Sequence, residues 1–255
     1  MDLKDRLLSS TDVMLGGFLG ISSPPLMEML GLAGFDFAVM DTEHGTFGLE
    51  RMEDCLRAAA AVGMPCLVRV AGLNSRLIQA ALDIGADGIQ VPQIENANEA
   101  SSAVEFCHFP PAGKRGFGST TRAAGFGLRD RAGVIQKACQ QTVVSIQIES
   151  REGVANLTEI LAVPGVDVVF IGTSDLSLSY GFSTPNHPQI ISLVEELVPR
   201  ITGAGKVAGV YLSDWSQLDR LQPLGMRYFT ISAGSLIKEA FRHQVEKFAS
   251  SKRFV

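Results

Sequence analysis

Val143-Val-Ser-Ile-Gln-Ile-Glu149 and Val168-Val-Phe-Ile-Gly-Thr-Ser-Asp175 are two apolar runs that each lead into a carboxylate, with one helix-length segment between them. Short apolar runs rich in β-branched residues read as strands buried on both faces. Two such strands joined by a crossover form a parallel pair with a right-handed connection. Both acids then stand at the same rim, the carboxyl-terminal one. A lone buried carboxylate costs several kcal/mol or more, so each acid must be exposed, paired or given a cation.

The same alternation extends outward to both ends of the chain. Strands are predicted at 16–21, 37–41, 66–70, 88–93, 143–149, 168–172, 207–212 and 228–232. Helical stretches are predicted at 49–62, 75–84, 97–106, 154–161, 187–203 and 216–224, where apolar residues recur at helical spacing. Small-residue turns such as Ala33-Gly34 and Gly203-Ala-Gly205 supply the exits from helix to strand. Eight strand–helix units in 255 residues predict an α/β fold, a (β/α)8 TIM barrel, as one domain over 1–255. The longest irregular segment, 109–131, is rich in Gly, Pro and Arg and reads as a functional or binding loop.

An apolar content of 46% is ordinary for a globular chain with a substantial core. A formal charge of −5 argues against a nucleic-acid partner, which needs a basic face. No run reaches the roughly 18 apolar residues of a membrane span, and Met1-Asp-Leu-Lys-Asp-Arg6 lacks the apolar core of a signal peptide. Cys55, Cys66, Cys107 and Cys139 lie far apart, with no C-x-x-C pair. They read as reduced, mostly buried thiols of a cytoplasmic protein.

Barrel enzymes place their chemistry at the carboxyl ends of the strands. Those ends here supply Asp41, Glu43 and His44 after the second strand, Arg69 in the third, Gln147 and Glu149 in the fifth, and Asp175 after the sixth. Glu149 and Asp175, all-oxygen donors without a neighbouring Cys or His, suit a hard cation such as Mg²⁺ or Mn²⁺. The structural alternatives are a Glu149 paired with Arg151 and an Asp175 that caps a helix beginning at Leu176. Gln147, two residues from Glu149, shares its side of the strand. Arg69 in an apolar strand requires an anion, either a structural carboxylate or the carboxylate or oxyanion of a substrate. His44 is the histidine best placed to move a proton, unless it only bonds Asp41 or Glu43.

Gly113-Lys-Arg-Gly-Phe-Gly-Ser-Thr-Thr-Arg122 has the look of a phosphate loop but lacks the Walker ending, and reads instead as a substrate-side loop to which Arg122 contributes. Ser232-Ala-Gly-Ser235 reads as barrel closure, with a phosphate site as the alternative. None of the predicted strands holds a lysine, which disfavours Schiff-base chemistry.

The segments Gly34-Phe-Asp-Phe-Ala-Val-Met-Asp-Thr-Glu-His44, Val68-Arg69, Leu82-Asp-Ile-Gly-Ala86, Val91-Pro92, Pro110-Pro-Ala-Gly-Lys-Arg-Gly-Phe-Gly118, Gln147-Ile-Glu-Ser150 and Phe170-Ile-Gly-Thr-Ser-Asp-Leu-Ser177 together resemble the HpcH/HpaI aldolase/citrate lyase family over nearly the whole chain. The resemblance implies a pyruvate-type barrel and a metal-dependent class II aldolase that cleaves 4-hydroxy-2-oxo acids to pyruvate and an aldehyde through a metal-stabilised enolate. It implies metal ligation (Mg²⁺, Mn²⁺ or Co²⁺) by Glu149 and Asp175, and Arg69 on the keto or enolate oxygen. Backbone groups of Gly172, Thr173 and Ser174 would bind the substrate carboxylate beside Gln147. His44 would transfer the proton, Asp41 and Glu43 would support water and metal, and Asp83 would reach a neighbouring subunit's histidine in a hexamer with exchanged terminal helices. Thr42, Gly45-Thr46, Thr173-Ser174 and Phe18 depart from the family pattern. The rival readings are an acyl-CoA lyase of malyl-CoA or citramalyl-CoA type, a metal-binding protein without turnover, and a phosphosugar barrel.

Overall fold

The computed structural model describes residues 2–251. The strands are β1 Met14–Leu19, β2 Phe37–Asp41, β3 Cys66–Arg69, β4 Gly88–Val91, β5 Val143–Ile148, β6 Val168–Ile171, β7 Val207–Tyr211 and β8 Tyr228–Ser232. The helices are α1 Leu3–Ser9, α2 Pro24–Ala33, α3 Leu49–Ala61, α4 Ser75–Asp83, α5 Ala97–Cys107, α6 Arg131–Gln141, α7 Arg151–Ala155, α8 Leu157–Leu161, α9 Thr173–Ser179, α10 Pro188–Gly203, α11 Ser216–Leu221 and α12 Ala233–Ser251. All neighbouring strands pair in parallel and β8 returns to β1, which closes the barrel. Strands β2 to β6 are buried along their whole length, as a sheet covered on both faces requires.

The register positions the rim residues. Asp41 of β2 lies opposite Arg69 of β3, and Arg69 lies opposite Gln90 of β4. Below them the barrel interior is filled by Met14, Phe37, Val39, Leu67, Phe170 and Tyr228 with their neighbours. The Phe37 and Tyr228 rings stack with centroids 4.3 Å apart, and Phe170 meets Tyr228 edge-on at 6.2 Å. Helix α1 closes the amino-terminal end: Leu3 and Leu7 join that interior cluster. Arg227 ties the helix down by donating to the carbonyls of Ser10 (2.5 Å) and Leu7.

Several elements differ from expectation. Strand β1 begins at Met14 rather than residue 16, because Met14 pairs with Tyr228 and fills the barrel floor. The stretch 154–161 is divided into α7 and α8 at Asn156, whose amide donates to the Glu95 carbonyl at 2.8 Å. Helix α2 ends at the expected Ala33-Gly34 exit, and its start is also written in the sequence. Ser23 caps it by accepting from the Leu26 N–H, and Pro24 and Pro25 occupy its first positions, where a missing N–H costs nothing. Segment 109–131 is irregular, as expected, apart from a 3₁₀ turn at Gly125–Gly127. It folds back on α4 and α5 through Ala123 N–H to Asp83 O (3.0 Å) and Lys114 N–H to Glu105 O (2.7 Å).

The cysteines at 55, 66, 107 and 139 are free, and the first three are buried. Among the described residues no helix is long and apolar enough to cross a membrane.

Candidate active site

At the carboxyl-terminal rim, Arg69 is 9% exposed and its guanidinium is fixed on two sides. Its Nε and Nη2 donate to Asp41 Oδ1 (3.0 Å) and Oδ2 (2.8 Å), and its Nη1 lies 3.2 Å from Glu43 Oε2. The Phe18 ring supports the plane from 4.9 Å. Of the five N–H donors of an arginine, these contacts use three, one each from Nε, Nη1 and Nη2. The unused donors on Nη1 and Nη2 remain for a ligand oxygen. The structural reading of Arg69 is therefore met by Asp41 and Glu43, with donors left over.

Asp41 is a hub. Besides Arg69 it accepts the backbone N–H groups of Glu43 (3.1 Å) and His44 (3.2 Å), so its carboxylate shapes the turn that carries them. Thr42, one of the departures, uses its hydroxyl to hold the Arg69 carbonyl at 2.7 Å. His44 stands on the outer lip, its side chain 66% exposed and its Nε2 3.9 Å from Glu43 Oε2.

Across the mouth, Glu149 is buried and held at both oxygens. Gln147 Nε2 donates to Oε2, and the Gln93 N–H donates to Oε1 at 2.9 Å. Gln93 adopts φ 57°, a left-handed conformation uncommon for a non-glycine residue, to aim that N–H. Gln90 Nε2 donates to Gln147 Oε1 at 2.8 Å, which fixes the amide so that its NH₂ faces the carboxylate. Gly172 makes room for the pair: a Cβ there would collide with Glu149 and crowd Gln147. Its own N–H is taken by Ile148 O at 3.0 Å, so its contribution is space rather than a ligand donor, contrary to expectation. Thr173, Ser174 and Asp175 form the first turn of α9, where N–H groups lack intrahelical partners. Asp175 is exposed and lies inside the helix, so it is not the cap residue.

The electrostatics tie these groups together. Burial pushes the Glu149 carboxyl up, opposed by the Gln147 and Gln93 donors and reinforced by the charges of Asp175 and Glu43. Burial likewise raises Glu43, against the pull of Arg69 and His44, with Asp41 and Asp175 adding to the rise. Carboxylates that raise one another in a site without a thiol have the donor chemistry of a hard dication. Among the described residues no three Asp, Glu, His or Cys side chains converge closely enough to hold a metal alone. Glu149 and Asp175 are carboxylates whose charges interact at this mouth, and the Gln147 and Gln93 donors each occupy one Glu149 oxygen.

Two expectations fail in place, while Asp83 lies at the far rim of its own subunit, as its position just before a strand implies. Asp83 ends α4 at the amino-terminal rim, where it pairs with Arg115 at 2.7 Å, because that helix runs back down the barrel before β4 starts. Arg122 lies at the same far rim, donating to Ile84 O at 2.9 Å, so the 113–122 loop does not border this mouth within the chain. Glu149 is not paired with Arg151, whose guanidinium donates to the carbonyls of Ser179 and Tyr180. Ser232 accepts from the Ser235 N–H (3.1 Å), which accounts for that motif as a helix cap. Lys206 donates to the Val163 and Val166 carbonyls, away from the mouth. Gln90 and Gln93 were missed, although a glutamine inside the apolar run Gly88-Ile-Gln-Val91 is the same kind of signal as Arg69.

The family model described as HpcH/HpaI aldolase/citrate lyase matches residues 14–227. The chain is similar to a hydroxypyruvate/pyruvate aldolase of Pseudomonas aeruginosa, 36% identical over 96% of this chain and 91% of that one. It is 35% identical to a 4-hydroxy-2-oxo-heptane-1,7-dioate aldolase of Escherichia coli, over 88% of this chain and 85% of the relative. The crystal structure of an HpcH/HpaI aldolase/citrate lyase family protein from Burkholderia cenocepacia J2315 superposes with a TM-score of 0.91 at 32% identity, covering 97% and 98% of the two chains.

Proposed function

This chain belongs to the HpcH/HpaI aldolase/citrate lyase family and is a carbon–carbon lyase; from that premise we propose that it cleaves 4-hydroxy-2-oxo acids to pyruvate and an aldehyde as a divalent-metal-dependent class II aldolase. The observation that carries the reading is the facing of two fixed groups across one barrel mouth. One is Arg69, clamped by Asp41 and Glu43 with donors to spare; the other is Glu149, held by Gln147 and Gln93 in the field of Asp175.

Glu149 and Asp175 would hold a Mg²⁺ or Mn²⁺ ion, which when bound supplies positive charge beside an oxygen that gains electrons. Arg69 turns its remaining N–H donors to the keto oxygen, where negative charge develops as the carbon–carbon bond breaks. The first-turn N–H groups of Thr173 and Ser174 receive the substrate carboxylate. His44, open to solvent, takes the proton of the C4 hydroxyl and returns one to the enolate carbon, a role worth about 10²–10⁴-fold. Asp83 can assist only by facing the His44 of a second copy. We read the assembly as a cytoplasmic hexamer with exchanged terminal helices. Support comes from α12, whose Phe241 and Val245 are 70% and 67% exposed, and from the free cysteines.

Proton exchange at the pyruvate methyl group, followed by NMR, isolates enolate formation from the choice of aldehyde. Exchange should appear with Mg²⁺ or Mn²⁺ and vanish with chelator or in Glu149→Gln. A protein that binds metal and pyruvate without exchanging protons would overturn the reading, and malyl-CoA cleavage in its place would assign the thioester activity.

A further inference from the structure

At the opposite end of the barrel from Glu149 lies a half-open cavity of about 1050 Å³. Its walls come from α1, α3, the end of α4, segment 109–130 and α6. The volume is at the upper end of the roughly 300–1,000 Å³ typical of small-molecule sites. The proposed reaction uses none of it.

Its charges divide in a telling way. The acidic residues on the wall are already employed in the fold. Asp2 caps α1 by accepting from the Asp5 N–H, and Asp130 caps α6 by accepting from the Gly133 N–H. Asp87 accepts the Cys66 N–H at 2.9 Å. The basic residues are not employed to the same degree. Arg122, Arg129 and Lys137 form no salt bridge among the described residues; desolvation raises the Asp87 carboxyl, and of the three Lys137 and Arg122 oppose that rise. Arg122 reaches the wall across Gly85, where any side chain would strike its guanidinium, and spends one N–H on the Ile84 carbonyl. Arg115 is 6% exposed, pairs with Asp83 through Nη2 and lies over the Phe109 ring, but its Nε has no hydrogen-bond partner. A buried N–H without an acceptor costs about 1–3 kcal/mol, which an incoming oxygen would recover. Leu56, Met64, Leu82, Phe126 and Val134 give the wall an apolar part, beside Gln141, Thr142 and an Arg6 already paired with Asp36.

We propose that this cavity is a second ligand site, separate from the aldolase mouth, that takes a small organic anion with an apolar body and a carboxylate or phosphate head. Arg122, Arg129 and Lys137 receive the head, and the apolar wall receives the body. None of the lining residues has a part in the proposed reaction; Arg115 alone touches one that does, through its pair with Asp83, and binding measured in the presence of chelator keeps the two readings distinguishable.

Hexanoate and hexyl phosphate, with the same six-carbon body and different heads, are the probes. Each is titrated calorimetrically into the full-length protein in the presence of chelator, with inorganic phosphate as the head alone. At least one alkyl probe should bind saturably, and the tighter of the two identifies the head. Replacing the exposed cations in the Arg129→Gln/Lys137→Gln double variant, which leaves the core intact, should weaken it about tenfold or more. Arg122→Gln should act in the same direction, and Glu149→Gln should bind as the wild type does. Absence of saturable binding, undiminished binding in the double variant, or inorganic phosphate binding as tightly as hexyl phosphate would overturn the proposal. So would hydrogen-exchange protection of 122–141 that appears only on self-association, which would give the cavity to a second copy of the chain.

Discussion

Glu149 owes its position to neighbours of three kinds: an amide turned by Gln90, a backbone N–H aimed by an unusual Gln93, and the missing side chain of Gly172. Gly172→Ala should therefore displace the carboxylate and reduce kcat by about 10²-fold or more, with secondary structure retained by circular dichroism. Arg69→Lys keeps the charge but loses the planar fork between Asp41 and Glu43. Its kcat should fall about 10²–10³-fold, and near-wild-type turnover would remove Arg69 from the oxyanion. The raised Glu149 and Glu43 carboxyls set a pH dependence. A folded-state carboxyl above its unfolded value of about 4.3 binds its proton more tightly in the native state. The metal-free fold thus loses stability as pH rises from the unfolded value through the raised one, and the loss is constant above it. Urea midpoints of Glu149→Gln minus wild type should shift in favour of the variant as pH rises above the ordinary glutamate range. Mn²⁺ affinity should rise over the same window, since the ion competes with the proton. Arg69, Glu149 and Asp175 were legible because a charge at the end of an apolar run demands an explanation. Gln90 gave a like signal inside its apolar run, but its purpose, and that of Gln93, shows only once the register of β4 against β5 is known.

Strands and helices were legible where a single period rules a segment, and obscure where tertiary contacts decide the boundary. The β2 limits match the alternation, whereas β1 is shifted by a floor residue that pairs with the last strand. Arg122 was misplaced for a reason that belongs to this scale. Motif order along the chain does not say which rim a loop serves, and the segment after α5 folds back to the amino-terminal end of the barrel, where Arg122 meets the Ile84 carbonyl that follows α4. The turn after β4 gives a test that belongs to the element rather than the side chain. Gln93→Gly can keep φ near 57° without strain, so it should retain activity and lie within about 1 kcal/mol of wild-type stability. Gln93→Pro removes the N–H that holds Glu149 and fixes φ near −65°. Its activity should collapse, and retained activity would mean that Glu149 needs no donor from this turn.

The whole barrel was readable from the count and spacing of its apolar runs, but its surroundings were not. Helix α12 leaves Phe241 and Val245 exposed, and the proposed exchange of terminal helices would cover them. Phe241→Ser with Val245→Ser should shift light-scattering mass toward the monomer with unchanged helicity, and an unaltered mass would refute helix exchange. The interior carries a further consequence. The Phe37–Tyr228 stack, with Phe170 against its edge, and the Leu3 and Leu7 plug beneath it act as a cork. Solvent and reactants have a single doorway, so whatever closes that doorway also dries the carboxylates behind it. Nothing can be flushed through from the rear, and product must back out along the route by which substrate came in.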